Sequence, residues 1–238
     1  MSLMLKILCL TLLLKTAFAG VLPVIPEGCF DNGGYCIGSI DVKEPLYGVG
    51  SPKKMMKINL FAKLYEGNYD GPEAILGKYF NFEKWVDYVG DGVVYENSFT
   101  LPSFVNEQGK EVKQHYAHYT VKGPLGIRPE VKSVTQYWQI DAFEGALVSY
   151  QFDNPVDHVA IPVPQLNTVF NKGIGFDHNV GLLHVSEKLY DEGEDEYYFV
   201  VYYQGLIKPD NSIFWDTATK VTMRSIAATF KGMFLNSN

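Results

Sequence analysis

The sequence predicts an α+β fold: a curved antiparallel sheet of about seven strands gripping a long C-terminal helix, with two short helices after the first strand. Three observations carry this. "MKINLFAKLY" (56–65) alternates, with Met56, Ile58, Leu60, Ala62 and Leu64 on one side and Lys57, Asn59 and Lys63 on the other, the mark of a half-buried strand. From about residue 92 to 207 the chain is a succession of β-branched and aromatic runs bounded by turn residues. In the final segment Trp215, Ala218, Thr222, Ile226, Phe230 and Met233 recur every three or four residues, so they share one face of a helix.

Each element has local reasons. Gly71-Pro72 opens the first short helix, because proline at the first helical position gives up an N–H that has no partner anyway, and Glu73 complements the dipole. Gly77 weakens that helix and Asn81 ends it. Phe82–Val89 forms the second, stopped by "GDG". The strands that follow are "GVVYENSFTLP", "EVKQHYAHYTVKG", "VKSVTQYWQID", "ALVSYQFD", "VGLLHVSEKLY" and "EYYFVVYYQGLI". The acidic "DEGEDE" (191–196) is the tip of the last hairpin, and its spacing lacks the alternating oxygen ligands of a calcium loop. Residues 153–176, with three prolines, are an irregular insertion. Asn211 or Ser212 is placed to cap the last helix.

At the N-terminus, Lys6 precedes the apolar run Ile7–Leu14, too short to span a bilayer, and Ala17-Phe18-Ala19 fits a small-x-small cleavage site. Residues 1–19 are therefore expected to be a signal peptide, and the protein to be exported to a periplasm or secreted. No Asn-x-Ser/Thr sequon occurs, which favours a periplasm. After cleavage 219 residues remain, with 18 basic against 27 acidic side chains, a net charge of −9. Such a domain repels phosphate backbones, so nucleic acid is excluded as a partner. Cys29 and Cys36 then stand alone, separated by a segment containing Asp31-Asn32-Gly33-Gly34 that reverses the chain cheaply. In an oxidising compartment they are expected to form a local disulfide. Residues 20–53, rich in proline and glycine, read as an irregular extension carrying that bridge, ahead of a domain over 54–238.

Several strands place large side chains on both faces. Tyr116 and His118 oppose His115 and Tyr119; Tyr198 and Tyr202 oppose Tyr197, Phe199 and Tyr203. A sheet curled around a helix with a space between them uses such a pattern. The order of elements over 56–235, with "KINLFAKLY", "EAILGKYFNFEKWVDYV", the strand meander and "TATKVTMRSIAATFKGMF", resembles the START/Bet v 1-like (polyketide cyclase and dehydrase) superfamily. Phe82 and Trp85 match the aromatic "F…W" segment that often ends its short helix pair. The resemblance implies a helix-grip fold with an internal cavity, whereas the leader and the disulfide extension depart from the pattern. A lipocalin would carry Gly-x-Trp at its first strand, which is missing, and a loop where helices stand here.

A cavity of this kind is expected to bind a hydrophobic or amphipathic small molecule, lipid-like and without a cofactor. Burying about 300 Å² of apolar guest surface is worth roughly 7 kcal/mol before entropic costs. The expected lining is Trp85 from the helix pair, Tyr119, Trp138 and Tyr150 from the middle strands, Phe199 and Tyr203 from the last strand, and Trp215 and Ile226 from the helix. Trp85 would face inward as a cap on the mouth. The ordinary reading of each one singly is a place in a filled core. Ligand exchange would entail transient contact of the monomer with a membrane. For catalysis the candidates are His118, His184 and Asp141, acting as acid or base on a polyketide-like ring. His115 and His118 point to opposite faces, and His178 and His184 lie too far apart along one strand, so no metal site is expected. No HExxH, GxSxG, P-loop or dinucleotide motif is present. Three functions stay open: a carrier, a cavity enzyme of the polyketide cyclase type, and a surface interaction protein of lipocalin-like fold.

Overall fold

The computed structural model describes residues 24–46, 49–89, 93–105, 109–121, 130–139, 145–151, 176–209 and 215–235. Its strands are β1 (Tyr35–Leu46), β2 (Val49–Tyr65), β3 (Val93–Val105), β4 (Glu111–Val121), β5 (Glu130–Gln139), β6 (Gly145–Gln151), β7 (Phe176–Val185), β8 (Leu189–Asp191) and β9 (Glu196–Pro209). Helices α1 (Pro72–Phe80) and α2 (Trp85–Val89) follow β2, and α3 (Trp215–Phe230) runs on into a wider π turn, Lys231–Leu235. All pairings are antiparallel, in the order β1-β2-β9-β7-β6-β5-β4-β3, with β8 on β9. This is the α+β arrangement the sequence predicts, with an open strand order in place of a closed barrel.

The strands differ from the sequence reading in detail. The described residues form a nine-stranded sheet. Part of the supposedly irregular extension, Tyr35–Leu46, is an edge strand paired with β2 along its length. Its pattern hides this, because the positions facing the same side as Leu60, Ile58 and Met56 are Ile37, Ser39 and Asp41, one apolar and two polar. The partner that makes it a strand comes from β2, not from its own alternation. The run "VGLLHVSEKLY" is also two strands. β7 leaves β9 after Val185↔Val201 and β8 rejoins it at Leu189↔Tyr198. Between them Ser186 takes over the pairing: its N–H donates to Val200 O at 2.9 Å, and its Oγ accepts from Val200 N at 2.9 Å.

The helix signals act as read. Pro72 stands at the start of α1 after Gly71, whose φ of 131° lies in the region that favours glycine. The Asn81 N–H closes the helix on Gly77 O. A 3-10 turn, Phe82–Lys84, then leads into α2. The caps Asn211 and Ser212, the "GDG" stop and the 153–176 insertion up to residue 175 lie outside the described residues, as does the leader.

The sheet is covered on both faces. On one, Leu60, Ala62, Leu64, Ala117, Leu183, Val185, Phe199, Val201 and Tyr203 meet Ile75, Leu76, Tyr79 and Trp85 of the short helices and Phe230, Met233 and Phe234 of the C-terminal segment. On the other, Phe61, Val200 and Tyr202 lie under Cys29, Ile25 and Phe30. Cys29 and Cys36 are joined by a disulfide with Cα atoms 5.0 Å apart. Gly33 and Gly34 turn the chain there at φ 83° and 74°, and Gly34 O accepts Lys63 N at 2.8 Å, pinning the turn to β2. The bridge thus fastens a cover over the outer face.

Candidate functional site: an aromatic interior with three phenols

Strand parity decides which side chains can meet between sheet and helices. Residues directly opposite share a face, so a register line can be followed across the sheet. The line through Leu60 runs to Tyr203 and Leu183, then to the positions of Leu147 and Tyr137. Ala117 and Tyr119 on β4 lie on this helix-facing set, as do His115 and its partner Thr135.

On that face the aromatic rings form a connected chain. The Trp85 ring stands 5.0 Å from Tyr119 and 5.1 Å from Tyr79, centroid to centroid. Tyr79 approaches Phe230 at 6.3 Å; Phe230 in turn lies 5.4 Å from Tyr203 and from Phe234. Offset and edge-on contacts of this sort add about 0.5–1.5 kcal/mol per pair beyond area burial. Two polar bonds fix the chain: the Trp85 indole N–H donates to Tyr79 O at 2.8 Å, and the Tyr69 hydroxyl donates to Phe234 O at 3.0 Å. The first couples α1 to α2; the second ties the link between β2 and α1 to the π turn.

Three phenol groups are carried into this interior by three different elements, Tyr79 on α1, Tyr119 on β4 and Tyr203 on β9. Burial holds the Tyr79 pKa well above the usual phenol range, and the neighbouring Tyr203 and Tyr119 push it further up. Tyr119 is raised by burial and then by Tyr203, and Tyr203 by burial. All three therefore stay protonated and offer O–H donors. Tyr203 lies across two glycines that face each other on β7 and β9: a Cβ built on Gly205 would stand 2.8 Å from the Tyr203 hydroxyl oxygen, and one on Gly181 would stand 3.2 Å from its ring. The absent side chains leave the floor on which that ring rests.

Of the residues expected to line the site, Trp85, Tyr119, Phe199, Tyr203 and Ile226 come together in this cluster. Trp215 packs on the same face in an adjoining cluster with Met56, Ile58 and Ile207, which Ile226 shares. Its indole N–H donates to Asp41 Oδ1 at 2.9 Å, and Lys54 Nζ sits 4.5 Å over the ring. The register gives Trp138 and Tyr150 a different line. Trp138 pairs with Ala146, then His184, Tyr202 and Phe61; Tyr150 pairs with Val180 and Val134. Those are positions of the outer set, because a strand's parity cannot be known until its neighbour fixes the register.

His184 is on the same outer line, beside Tyr202, and His118 shares the parity of Tyr116. Asp141 lies outside the described residues. The histidine on the helix-facing parity is His115, half-buried. Burial lowers its pKa, and the carboxylate of Glu83, in the turn before α2, pulls the other way. Tyr79, Phe230 and Phe234 complete the interior and were not singled out as lining. Tyr79 was visible only as one of several bulky residues in a broken helix.

No protein-family model and no curated protein matches this chain. Among solved structures, a STAR-related lipid transfer protein fragment from Xanthomonas axonopodis superposes with a TM-score of 0.52 at 13% identity, covering 90% of this chain and 96% of that one. The chain has the START helix-grip fold. Human STARD10 aligns at a TM-score of 0.46 and 12% identity, over 90% of this chain and 82% of its own. In START terms, α3 is the gripped helix, and the aromatic chain joins its last turn, through Phe230, to the short helices and the sheet. Along this 16-residue helix Phe230 is the fully buried residue, whereas Trp215, Ala218, Thr222 and Ile226 on the same stripe are partly buried. The helix is anchored at its C-terminal end, where Phe230, Met233 and Phe234 pack solidly.

Proposed function

We propose that this chain is an exported protein that binds or transfers a hydrophobic or amphipathic small molecule, lipid-like in character, in a hollow between its sheet and its C-terminal helix. The observation that carries the reading is the uneven burial of α3: a largely apolar stripe whose last turn is sealed while its first three turns keep accessible surface. A stripe of that kind is stabilised either by a partner or by a guest. The aromatic interior beneath offers apolar area, and its phenols offer orientation. A fold shared with a lipid transfer protein fits the same reading. The Cys29–Cys36 bridge is compatible with an oxidising compartment, and among the described residues no helix is long and apolar enough to cross a membrane. The protein acts as a monomer that touches a membrane when it loads or unloads. Catalysis has less support, since His118 and His184 occupy outer register lines and no described acid-base pair meets the interior.

The test is extraction of the purified protein into organic solvent followed by mass spectrometry. A stoichiometric apolar small molecule supports the carrier; a guest-free protein that also fails to take up lipid from vesicles removes it.

A further inference from the structure

Resting on the carrier reading, we propose that the end of the β1–β2 hairpin nearest its turn, with Lys43, Lys53 and Lys54 beside Trp215, is the surface by which this protein docks on an anionic lipid bilayer.

Charge is unevenly placed along the sheet. The whole chain carries a net charge of −7, which repels an anionic surface. Over residues 39–57 the balance reverses: four lysines, Lys43, Lys53, Lys54 and Lys57, stand against two acids, Asp41 and Glu44. The register gathers them, with Lys43 directly opposite Lys54, Lys53 opposite Glu44 and Lys57 opposite Ile40. Lys43, Lys53 and Lys54 are exposed. Like charges facing each other across a strand pair destabilise it. Asp41 relieves one member, bridging Lys54 at 2.8 Å, and an anion arriving beside Lys43 would relieve the other. The acidic turn of the β8–β9 hairpin sits at the opposite end of the same strands, because Tyr65 pairs with Tyr198 and Asp191 with Glu196. At about 3.3 Å per residue it stands roughly 40 Å along the strand from Lys53. That is several times the screening length of about 8 Å at physiological salt, so the acids do not cancel the lysines.

Two neighbours select a bilayer over a dissolved anion. Trp215 opens α3 with Lys54 Nζ 4.5 Å over its ring, and its indole N–H donates to Asp41 Oδ1 at 2.9 Å. A tryptophan with one apolar side and one wet side is favoured at headgroup depth. Ile40, 58% exposed, adds an apolar side chain across from Lys57. The same corner adjoins the half of α3 that keeps accessible surface, where Trp215, Met223 and Ile226 pack with Met56, Ile58 and Ile207. Docking there brings the accessible turns of α3 to the lipid and leaves the acidic hairpin at the far end of the sheet.

The experiment is flotation of the full purified chain with vesicles of phosphatidylcholine, alone or mixed with phosphatidylglycerol, at low and at high salt. The native protein is expected to bind the mixed vesicles about 10-fold or more tighter than the neutral ones, and to lose that preference at high salt. Lys43→Gln combined with Lys53→Gln should weaken binding to the mixed vesicles by about 5- to 30-fold. Lys54 is left intact, because it also holds Asp41 and Trp215. Lys84→Gln combined with Lys231→Gln makes the same charge change at exposed positions elsewhere and should alter binding by less than about 2-fold. Thermal melting of both double variants confirms that each is folded. Equal binding to the two kinds of vesicle, or equal weakening by the two double variants, would overturn the proposal. Mass spectrometry of lipid carried off with the protein keeps the two readings apart. Lipid carried without an anionic preference would overturn the docking surface and leave the carrier standing. Anionic docking through these lysines with no lipid carried would remove the carrier and keep the surface.

Discussion

Gly205→Ala perturbs the interior at its most crowded point. The new methyl would sit 2.8 Å from the Tyr203 hydroxyl oxygen, closer than real Cβ contacts allow, and 3.2 Å from two of its ring carbons, tighter than most. Overpacking of this kind costs about 1–3 kcal/mol, and replacing a strand glycine recovers roughly 0.5–1 kcal/mol of backbone entropy. The net loss is then about 0–2.5 kcal/mol, or a fall in Tm of up to roughly 10 °C for a domain of this size. Tyr203→Phe removes the atom in closest conflict, so the double variant should be more stable than additivity predicts by about 1 kcal/mol. Urea unfolding of the two single variants and the double variant measures this. Additivity within roughly 0.5 kcal/mol would refute the claim that Tyr203 lies across the paired glycines.

Trp85→Ala should cost about 3–5 kcal/mol in chemical unfolding, because it empties a buried site and frees Tyr79 O; Trp85→Phe, which loses the indole N–H bond but keeps a ring, should cost clearly less. His115 has a folded pKa below its unfolded value, so it favours folding above about pH 6.5 and that contribution is lost as the pH falls through the folded pKa. Comparing unfolding midpoints at neutral and acid pH, His115→Gln should show a smaller decline than the native chain. Removing the bridge by Cys29→Ser with Cys36→Ser should destabilise by about 2–3 kcal/mol and expose the Phe61–Tyr202 pair to solvent, read by thermal melting with and without reductant.

Much of the fold was legible because its signals are local. The alternation over 56–65, the proline and glycine opening α1 and the helical stripe ending in Phe230 and Met233 each carry their own period. The opposed faces of β4 and β9 were legible for the same reason. β1 was not: its inner positions include Ser39 and Asp41, and its strand character comes from β2. The site was readable where one strand or helix carried the information, as for Tyr119, Phe199 and Tyr203. It was not readable where register did, as for Trp138, Tyr150 and His184, whose face depends on strand pairings across the whole sheet. Trp215 follows its helical phase onto the helix-facing side, where its indole N–H meets Asp41 and Lys54 lies over the ring.

The proposed hollow between α3 and the sheet is tested most directly by native mass spectrometry of the full chain after incubation with vesicles of neutral lipid. The account predicts a one-to-one complex with a small apolar molecule, released when the protein is denatured. A single guest-free mass before and after incubation would contradict it.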